Sequence, residues 1–387
     1  MIKKRIKLVH VVTTLCTGGM ENGIVNLCNR HDRKKFEVAI CCLKSKGNMV
    51  NRLRKDVSVF SLGLPEGKPV FHPIKVAKLF KLIRPDIVHT HGLAGGSYVG
   101  ILAAKLSKVP VIINGEHGSF FLKPHQVFLQ RFLSHLTDVT LSVSDSLRKE
   151  ISKKLKIPSW KIKVIRNGVD TNIFSGNYPK HIIRKEIAQN HDVIIDDNSF
   201  VLGNVASLKP EKNQKMILEA VKLLNDKYPG NKKNIKVLLV GDGPDRVMLK
   251  SLASKYGIEK QVAFLGVRDD VPKLFSIMDV MILSSVSFHE GLSNVLLEAM
   301  SSGVPVIATN SVGTSEVVKD GKTGFIIQAG DVDKLCKKIE ILQRNPEIRE
   351  QMSYYSRKWI HSRFSIKNMV NGYESLYIKT LERKRNL

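Results

Sequence analysis

The sequence has no run of 18 apolar residues, so no segment reads as a helix able to cross a bilayer. Proline and glycine are sparse, 14 and 27 among 387 residues, and there is no low-complexity segment or short repeat. That composition excludes linker-like, collagen-like and repeat architectures. Cysteines are few. The five thiols (Cys16, Cys28, Cys41, Cys42, Cys336) show no C-x-x-C spacing, which excludes a zinc ribbon or a dithiol redox pair. Their odd number, and the apolar setting of four of them, fit small core residues in a reducing compartment. No G-x-G-x-x-G follows a first strand, and Gly241-Asp242-Gly243-Pro244-Asp245-Arg246 lacks the third glycine, so the nicotinamide-dinucleotide fingerprint is missing. No Asp-x-Asp at a strand end stands out as a divalent-metal site.

Acidic residues are the scarce charge: 35 against 62 basic ones, for a net +27. Residues 1–180 carry 31 basic and 11 acidic side chains, a net +20, whereas residues 181–387 carry 31 and 24, a net +7. So uneven an excess points to an anionic partner: a membrane surface, a nucleic acid or a phosphorylated acceptor. No nucleic-acid-binding motif or aromatic stacking array accompanies it.

What is present is an alternation of short β-branched runs with longer amphipathic stretches. The first half has expected strands at Lys7–Val12, Glu37–Leu43, Val57–Leu62, Ile87–His91, Val111–Asn114, Val139–Val143 and Ile162–Arg166. The second has Val201–Val205, Val237–Val240, Ala263–Leu265, Val280–Leu283, Val306–Ala308 and Gly324–Ile327. Strands separated by helical patterns mean β-α-β units and parallel sheets, and several strands are apolar throughout, as burial on both faces requires. A chain of 387 residues is long for one such core and suits two. The polar stretch Thr171–Ser199 marks the linker, giving domains at 1–175 and 176–364 and a final helix at 365–387. The basic start, Lys3-Lys4-Arg5, precedes an apolar run that His10 interrupts and Gly18-Gly19 ends. It reads as a buried first strand rather than a secretion signal.

The most informative segment follows strand Val280–Leu283. A loop carries Glu290-Gly291-Leu292-Ser293-Asn294, helix Val295–Ser302 follows, and Gly303 and Pro305 stop it. Ligands of open α/β sheets bind beyond the carboxyl ends of strands. Asn294 and Glu298 share a helix face, and the helix N-terminus suits a phosphate. On physical grounds alone an ordinary capping Glu and a solvated helix Glu explain the pair equally well.

The run from Glu290 to Thr309, with Glu290 and Glu298 spaced as E-x7-E, resembles the signature of retaining glycosyltransferases of family 4. The resemblance covers almost the whole chain. It implies a GT-B fold: α/β, two facing Rossmann-like domains with a deep cleft between them and a C-terminal helix crossing back to the first. The first domain would then hold the acceptor and the second the nucleotide sugar. In that family Glu290 would contact the donor sugar and Glu298 the ribose hydroxyls, while the backbone of Gly291, Leu292, Ser293 and Asn294 holds sugar and phosphate. Gly18-Gly19 matches the glycine turn near the diphosphate or acceptor, where only glycine allows close backbone approach. His117, in Asn114-Gly115-Glu116-His117-Gly118, matches a histidine near the donor sugar, and His91 has a secondary place. Lys212, in Leu208-Lys209-Pro210-Glu211-Lys212, matches the family lysine on the diphosphate. Ser207 stands where an arginine is usual, which shifts that charge to Lys209 or weakens the clamp. Gly266 and Arg268 match a loop whose backbone lies around the nucleobase.

The resemblance implies transfer from a UDP- or GDP-sugar to a hydroxyl of a glycan or lipid-linked acceptor, with retention, in cell-surface polysaccharide synthesis. No metal and no cofactor beyond the donor are expected, with His117, Glu290 and Lys212 as catalytic candidates. The basic first domain, with Lys75–Arg84 and Phe120–Leu136 as amphipathic stretches, suggests a cytoplasmic enzyme resting on an anionic membrane, without nucleic acid. The same stretches can instead pack on the sheet. The rival reading is a basic binding module on a degenerate scaffold.

Overall fold

The computed structural model describes residues 5–65, 71–92, 96–118, 124–191, 193–228, 235–286 and 291–386. The chain forms two compact units, one of Met1–Gly168 with Ile366–Leu387 and one of Val169–Ser365.

The first unit runs β1 (Ile6–Val12), α1 (Gly19–Arg30), β2 (Phe36–Cys42), β3 (Ser58–Ser61), α2 (His72–Ile83), β4 (Ile87–His91), α3 (Gly96–Leu106), β5 (Val111–Glu116), α4 (Pro124–Leu136), β6 (Val139–Ser142), α5 (Asp145–Leu155) and β7 (Ile162–Val164). Its sheet has the order β3-β2-β1-β4-β5-β6-β7, every pair parallel. The winding reverses between β1 and β4. Side chains alternate across the strands, so Leu8, Val12 and Ile87 face a core shared with α1, while Val9, Val11 and Val88 face one shared with α2 and α3.

The second unit runs α6 (Lys180–Asn190), β8 (Phe200–Val205), α7 (Lys215–Lys227), β9 (Ile235–Val240), α8 (Arg246–Lys255), β10 (Val262–Gly266), α9 (Val271–Phe275), β11 (Val280–Leu283), α10 (Asn294–Ser301), β12 (Val306–Thr309), α11 (Thr314–Val317), β13 (Gly324–Ile327), α12 (Val332–Arg344) and α13 (Pro346–Arg363). Its parallel sheet is ordered β10-β9-β8-β11-β12-β13, reversing between β8 and β11. The last helix, α14 (Ile366–Arg385), belongs to the first unit, where Met369, Val370, Tyr373, Tyr377 and Leu381 join the core with α1. Both units are Rossmann-like.

Three sequence expectations move. The boundary lies at Gly168/Val169 rather than at 175/176, because Val169 pairs with Ser365 of the second unit. The expected linker contains α6: Ile183 and Ile187, one helical turn apart in a polar run, are both buried. Strand β5 also runs two residues past Asn114, since Gly115 pairs with His91 and Glu116 with Ser142.

Candidate active site

In the second unit the polar loops meet where the winding reverses. Asn204, near the end of β8, donates through Nδ2 to the Ile282 carbonyl of β11 at 2.8 Å. Buried Gln214 donates to Asn204 Oδ1 at 3.3 Å and to the Ser207 carbonyl at 3.0 Å, which fixes the loop carrying Ser207, Lys209 and Lys212. That loop is tied to the one after β11. The Ser284 hydroxyl donates to the Lys212 carbonyl at 2.7 Å, and the Val286 N–H donates to the Glu211 carbonyl at 2.9 Å. Lys209 is exposed, and Lys212 is half-buried.

Glu290 lies outside the described residues. Gly291 and Leu292 are buried, Ser293 precedes α10, and Asn294 and Glu298 sit partly exposed one turn apart on it. Leu296, Leu297 and Met300 on the other side of α10 are fully buried, about 2–3 kcal/mol each, and so hold the partly exposed side in place. Gly313 supports the loop from beyond β12: a Cβ there would run into the Gly291 carbonyl, so no other residue fits without displacing it.

Gly241 and Gly243 do structural work instead. Their φ angles of +132° and +159° let the loop after β9 pass beneath the carbonyls of Ala206 and Leu208, and Leu208 N–H donates to Asp242 O at 3.0 Å. Gly266 accepts from the Gly241 N–H at 2.7 Å. The Arg268 guanidinium is held by Asp270 and Glu186, each at 2.7 Å, which leaves the backbone of its loop for any ligand contact. An open hollow of about 650 Å³ in this unit, lined by Asp279, Pro305, Arg349 and Arg357, is not at this edge. Asp279 and Pro305 precede β11 and β12, at their amino ends.

In the first unit, Gly18 is the N-cap of α1 and Gly19 its first residue. Glu21 folds back so closely that a Cβ on Gly18 would meet its carboxyl, and partial burial pushes that carboxyl up from its ordinary range. His91 ends β4, and its Nδ1 lies 3.0 Å from His117 Nε2. Burial pushes the His117 imidazole down to about 4, so it is neutral at physiological pH. His91 Nε2 in turn lies 2.9 Å from His10 Nδ1. His89 Nδ1 lies 2.7 Å from the Tyr377 hydroxyl, and His31 Nδ1 lies 3.3 Å from Glu374 Oε1, both partners on α14. The sequence shows His10 only as a break in an apolar run; its role needs β4 and α14 beside it.

On the other face of β5, Glu116 is sealed among α3 and α4 residues. Asn114 donates to its Oε1 at 2.6 Å, and burial raises its carboxyl to about 8. Thr90 and Ser97 donate to Asn114 Oδ1 at 2.8 and 2.7 Å.

The two amphipathic stretches differ. On α2, Val76, Ala77 and Phe80 pack inward, while Ile74 and Leu82 are exposed. On α4, whose described part begins at Pro124, Phe128 is 75% exposed and Phe132 53%, with Leu106 of α3 56% and Trp160 72%. Lys105, Arg131, Lys149, Lys153 and Lys154 are exposed on the three neighbouring helices α3, α4 and α5, and Lys108 is exposed in the turn after α3. No helix among the described residues is long and apolar enough to cross a membrane.

Residues 17–173 match the family described as Glycosyltransferase Family 4, and residues 186–359 match Glycosyl transferases group 1. The chain is 28% identical over 395 residues to the UDP-Gal:alpha-D-GlcNAc-diphosphoundecaprenol alpha-1,3-galactosyltransferase of Escherichia coli, covering 98% of both chains. It is 30% identical over 324 residues to the putative glycosyltransferase EpsD of Bacillus subtilis, covering 81% of each. Among solved structures, HepE of Anabaena in complex with UDP-glucose superposes with a TM-score of 0.80 at 22% identity, over 98% of this chain and all of that one. That likeness fixes the fold as GT-B.

Proposed function

This chain belongs to the family 4 glycosyltransferases, and from that premise we propose that it moves a sugar from UDP to a hydroxyl of a lipid-linked glycan, with retention, in surface polysaccharide synthesis. The observation that carries the reading is the joining of the Lys212 loop to the loop after β11, next to α10 with Glu298. A lysine, a helix N-terminus and a carboxylate one turn on suit a diphosphate flanked by ribose hydroxyls. UDP is favoured over GDP because a relative alike over its whole length is named for UDP-Gal, and HepE was crystallised with UDP-glucose.

In this reading catalysis is by positioning and by charge. The bond from the anomeric carbon to the diphosphate breaks, and the acceptor oxygen joins the same face. The acceptor proton passes to the departing phosphate oxygen. Lys212 and the first turn of α10 hold the charge that develops there, and Lys209 supplies the second cation in place of the arginine that Ser207 lacks. Glu298 accepts from the ribose, His117 and Glu290 contact the sugar, and the backbones of Gly18-Gly19 and Gly266–Arg268 border the acceptor and the base. Lys212 needs no divalent ion beside it, so activity survives EDTA.

The exposed Phe128 and Phe132, rimmed by lysines, suit an anionic leaflet carrying the acceptor, each nearby cation contributing about 1 kcal/mol. Co-sedimentation with anionic liposomes at low salt tests this, with loss expected for the double change Phe128→Ser and Phe132→Ser. Pelleting unaffected by that change would put the membrane contact elsewhere.

The donor is tested by thermal shift with UDP, GDP, ADP and their sugar conjugates, on wild type and Glu298→Ala. A ligand at about 100 Kd adds roughly 2.7 kcal/mol, so a shift with UDP compounds that the variant loses supports the reading. No shift with any nucleotide sinks it. Proton NMR of the product's anomeric centre reads retention directly.

A further inference from the structure

The histidines beneath the carboxyl edge of the first sheet form a chain that runs from the core to its rim. His10 stands on β1 opposite His89 on β4, and His91 ends β4 opposite Gly115 on β5. His117 follows β5. His10 Nδ1 meets His91 Nε2 at 2.9 Å, and His91 Nδ1 meets His117 Nε2 at 3.0 Å. His10 and His91 are buried and His117 is partly exposed. Gly115 leaves room for the packed rings, since a Cβ there would lie 2.8 Å from His89 Nε2 and in van der Waals contact with His91 and His117.

A neutral imidazole has one N–H and one lone pair. Three such rings linked by two hydrogen bonds have two consistent arrangements, with every N–H directed toward His10 or every N–H directed toward His117. In the first, the terminal hydrogen sits on His10 Nε2, which is sealed and meets no partner among the described residues. The neighbouring His31 gives no relief. Its Nδ1 faces the Glu374 carboxylate, which accepts only, and its own Nε2 is equally unpartnered. In the second arrangement His10 Nε2 keeps a lone pair, and the terminal hydrogen sits on His117 Nδ1, on the ring that reaches solvent. Buried donors without acceptors are rarer than buried acceptors without donors, so the second is favoured.

We propose that His10 and His91 are positioning residues that fix His117 as its Nδ1–H tautomer, so that it offers the donor sugar a hydrogen bond and cannot act as a base. The functional half of this rests on the reading that His117 faces the donor. A neutral N–H donor holds a sugar hydroxyl or a phosphate oxygen, and it accepts no proton from the attacking hydroxyl. That leaves the departing phosphate as the proton's destination. His91 acts here through His117, since its own nitrogens are both engaged within the chain.

The test is multiple-bond proton–nitrogen NMR of the intact protein labelled with ¹⁵N-histidine, His117 being assigned by its loss in His117→Gln. Wild type is expected to show the hydrogen on His117 Nδ1. His91→Phe, which removes both bonds, is expected to shift His117 toward the Nε2–H form, whereas His91→Asn, whose amide can donate to His117 Nε2, keeps the wild-type pattern. A wild-type spectrum with the hydrogen on His117 Nε2 overturns the proposal, and this needs no variant to fold. One equivalent of zinc in the purified protein also overturns it, because nitrogens of His10, His89 and His91 lie within 4.8 Å of one another and a metal would take the proton's place. Hydrolysis of UDP-galactose or UDP-glucose, whichever is faster, should fall tenfold or more in His91→Phe and recover in His91→Asn, with the UDP thermal shift unchanged in both. Hydrolysis unaffected by His91→Phe overturns the positioning role. If His117→Ala leaves hydrolysis intact while wild type shows the Nδ1–H form, the donor contact has failed and the tautomer assignment stands.

Discussion

The two sheets share one winding, but they carry their polarity in opposite places. In the second, β11 is wholly apolar, and the groups that can do chemistry stand in the loops beyond β8 and β11: Lys212, Ser284 and the Gly291–Asn294 segment. In the first, the strands themselves are polar. His10, His89, Thr90, His91, Asn114 and Glu116 are buried inside β1, β4 and β5. A loop-borne site is held by its backbone and is exchanged easily for another. A strand-borne one needs every neighbour satisfied, and a buried polar group left unpaired costs about 1–3 kcal/mol. The second unit therefore places its constraint on glycines such as Gly313, the first on hydrogen bonds among its histidines and from His89 and His31 to α14.

The largest effect should fall on the loops. Lys212→Ala is expected to lower kcat/KM by about 100- to 1,000-fold with the fold intact, as for loss of a group that meets developing charge. The division of labour breaks if His117→Ala costs more than Lys212→Ala in the same steady-state assay.

Next comes acid. Burial holds His10, His89 and His91 well below the ordinary imidazole range, lowers His31 and brings His117 to about 4. Below about pH 6.5 the unfolded chain takes up protons that the folded unit does not bind, so stability is lost as pH falls through that value. Hydrogen exchange, corrected for intrinsic rates, should show β1 and β4 losing protection between about pH 7 and about pH 5.5 faster than β8 and β11. Equal losses in the two sheets would mean that the cluster stays hydrated.

Smaller still is a matched pair of glycines. Gly313→Ala drives a methyl into the Gly291 carbonyl and should cost about 1–3 kcal/mol in thermal or urea unfolding. Gly23→Ala in α1 meets open space within a helix and should gain about 0.5–1 kcal/mol. A neutral Gly313→Ala would show that the loop after β11 yields more easily than its packing implies.

The same contrast decides how much was legible in advance. The strands were, because two-sided burial writes continuous apolar runs: Val280–Leu283 and Gly324–Ile327 appear as read. The loops after β8 and β11 carry the motifs on which the family resemblance rests, because residues close together in sequence can specify a loop at short spacing. Helix α6 was not, since two isoleucines in a polar run carry too little signal. Nor was the histidine chain. His10 lies 81 residues from His91, and Glu374 lies 343 from His31, so their pairing exists only once β1 lies beside β4 and α14 over α1. Arg268 was visible, but not its commitment to Asp270 and Glu186, which needs α6.

The finest test of the contrast is Glu116, a strand carboxyl with no cation beside it among the described residues. In the unfolded chain it ionises near its ordinary 4.5, whereas in the fold burial holds the proton until about pH 8. Between those values the folded state binds more protons, so its stability falls as pH rises and levels off above about 8. Glu116→Gln keeps the shape and leaves an oxygen for the Asn114 amide, but it has no proton to lose. Relative to that variant, wild type should lose up to about 1.4 kcal/mol per pH unit between about pH 5 and about pH 7, read from urea midpoints. Over that same range the histidines work the other way, gaining stability as pH rises. The variant therefore isolates the carboxyl from them. Parallel pH dependences for the two proteins would mean that Glu116 is already ionised in the fold. A counter-charge or water would then have to stand beside it, and the first sheet would be less dry than its burial implies.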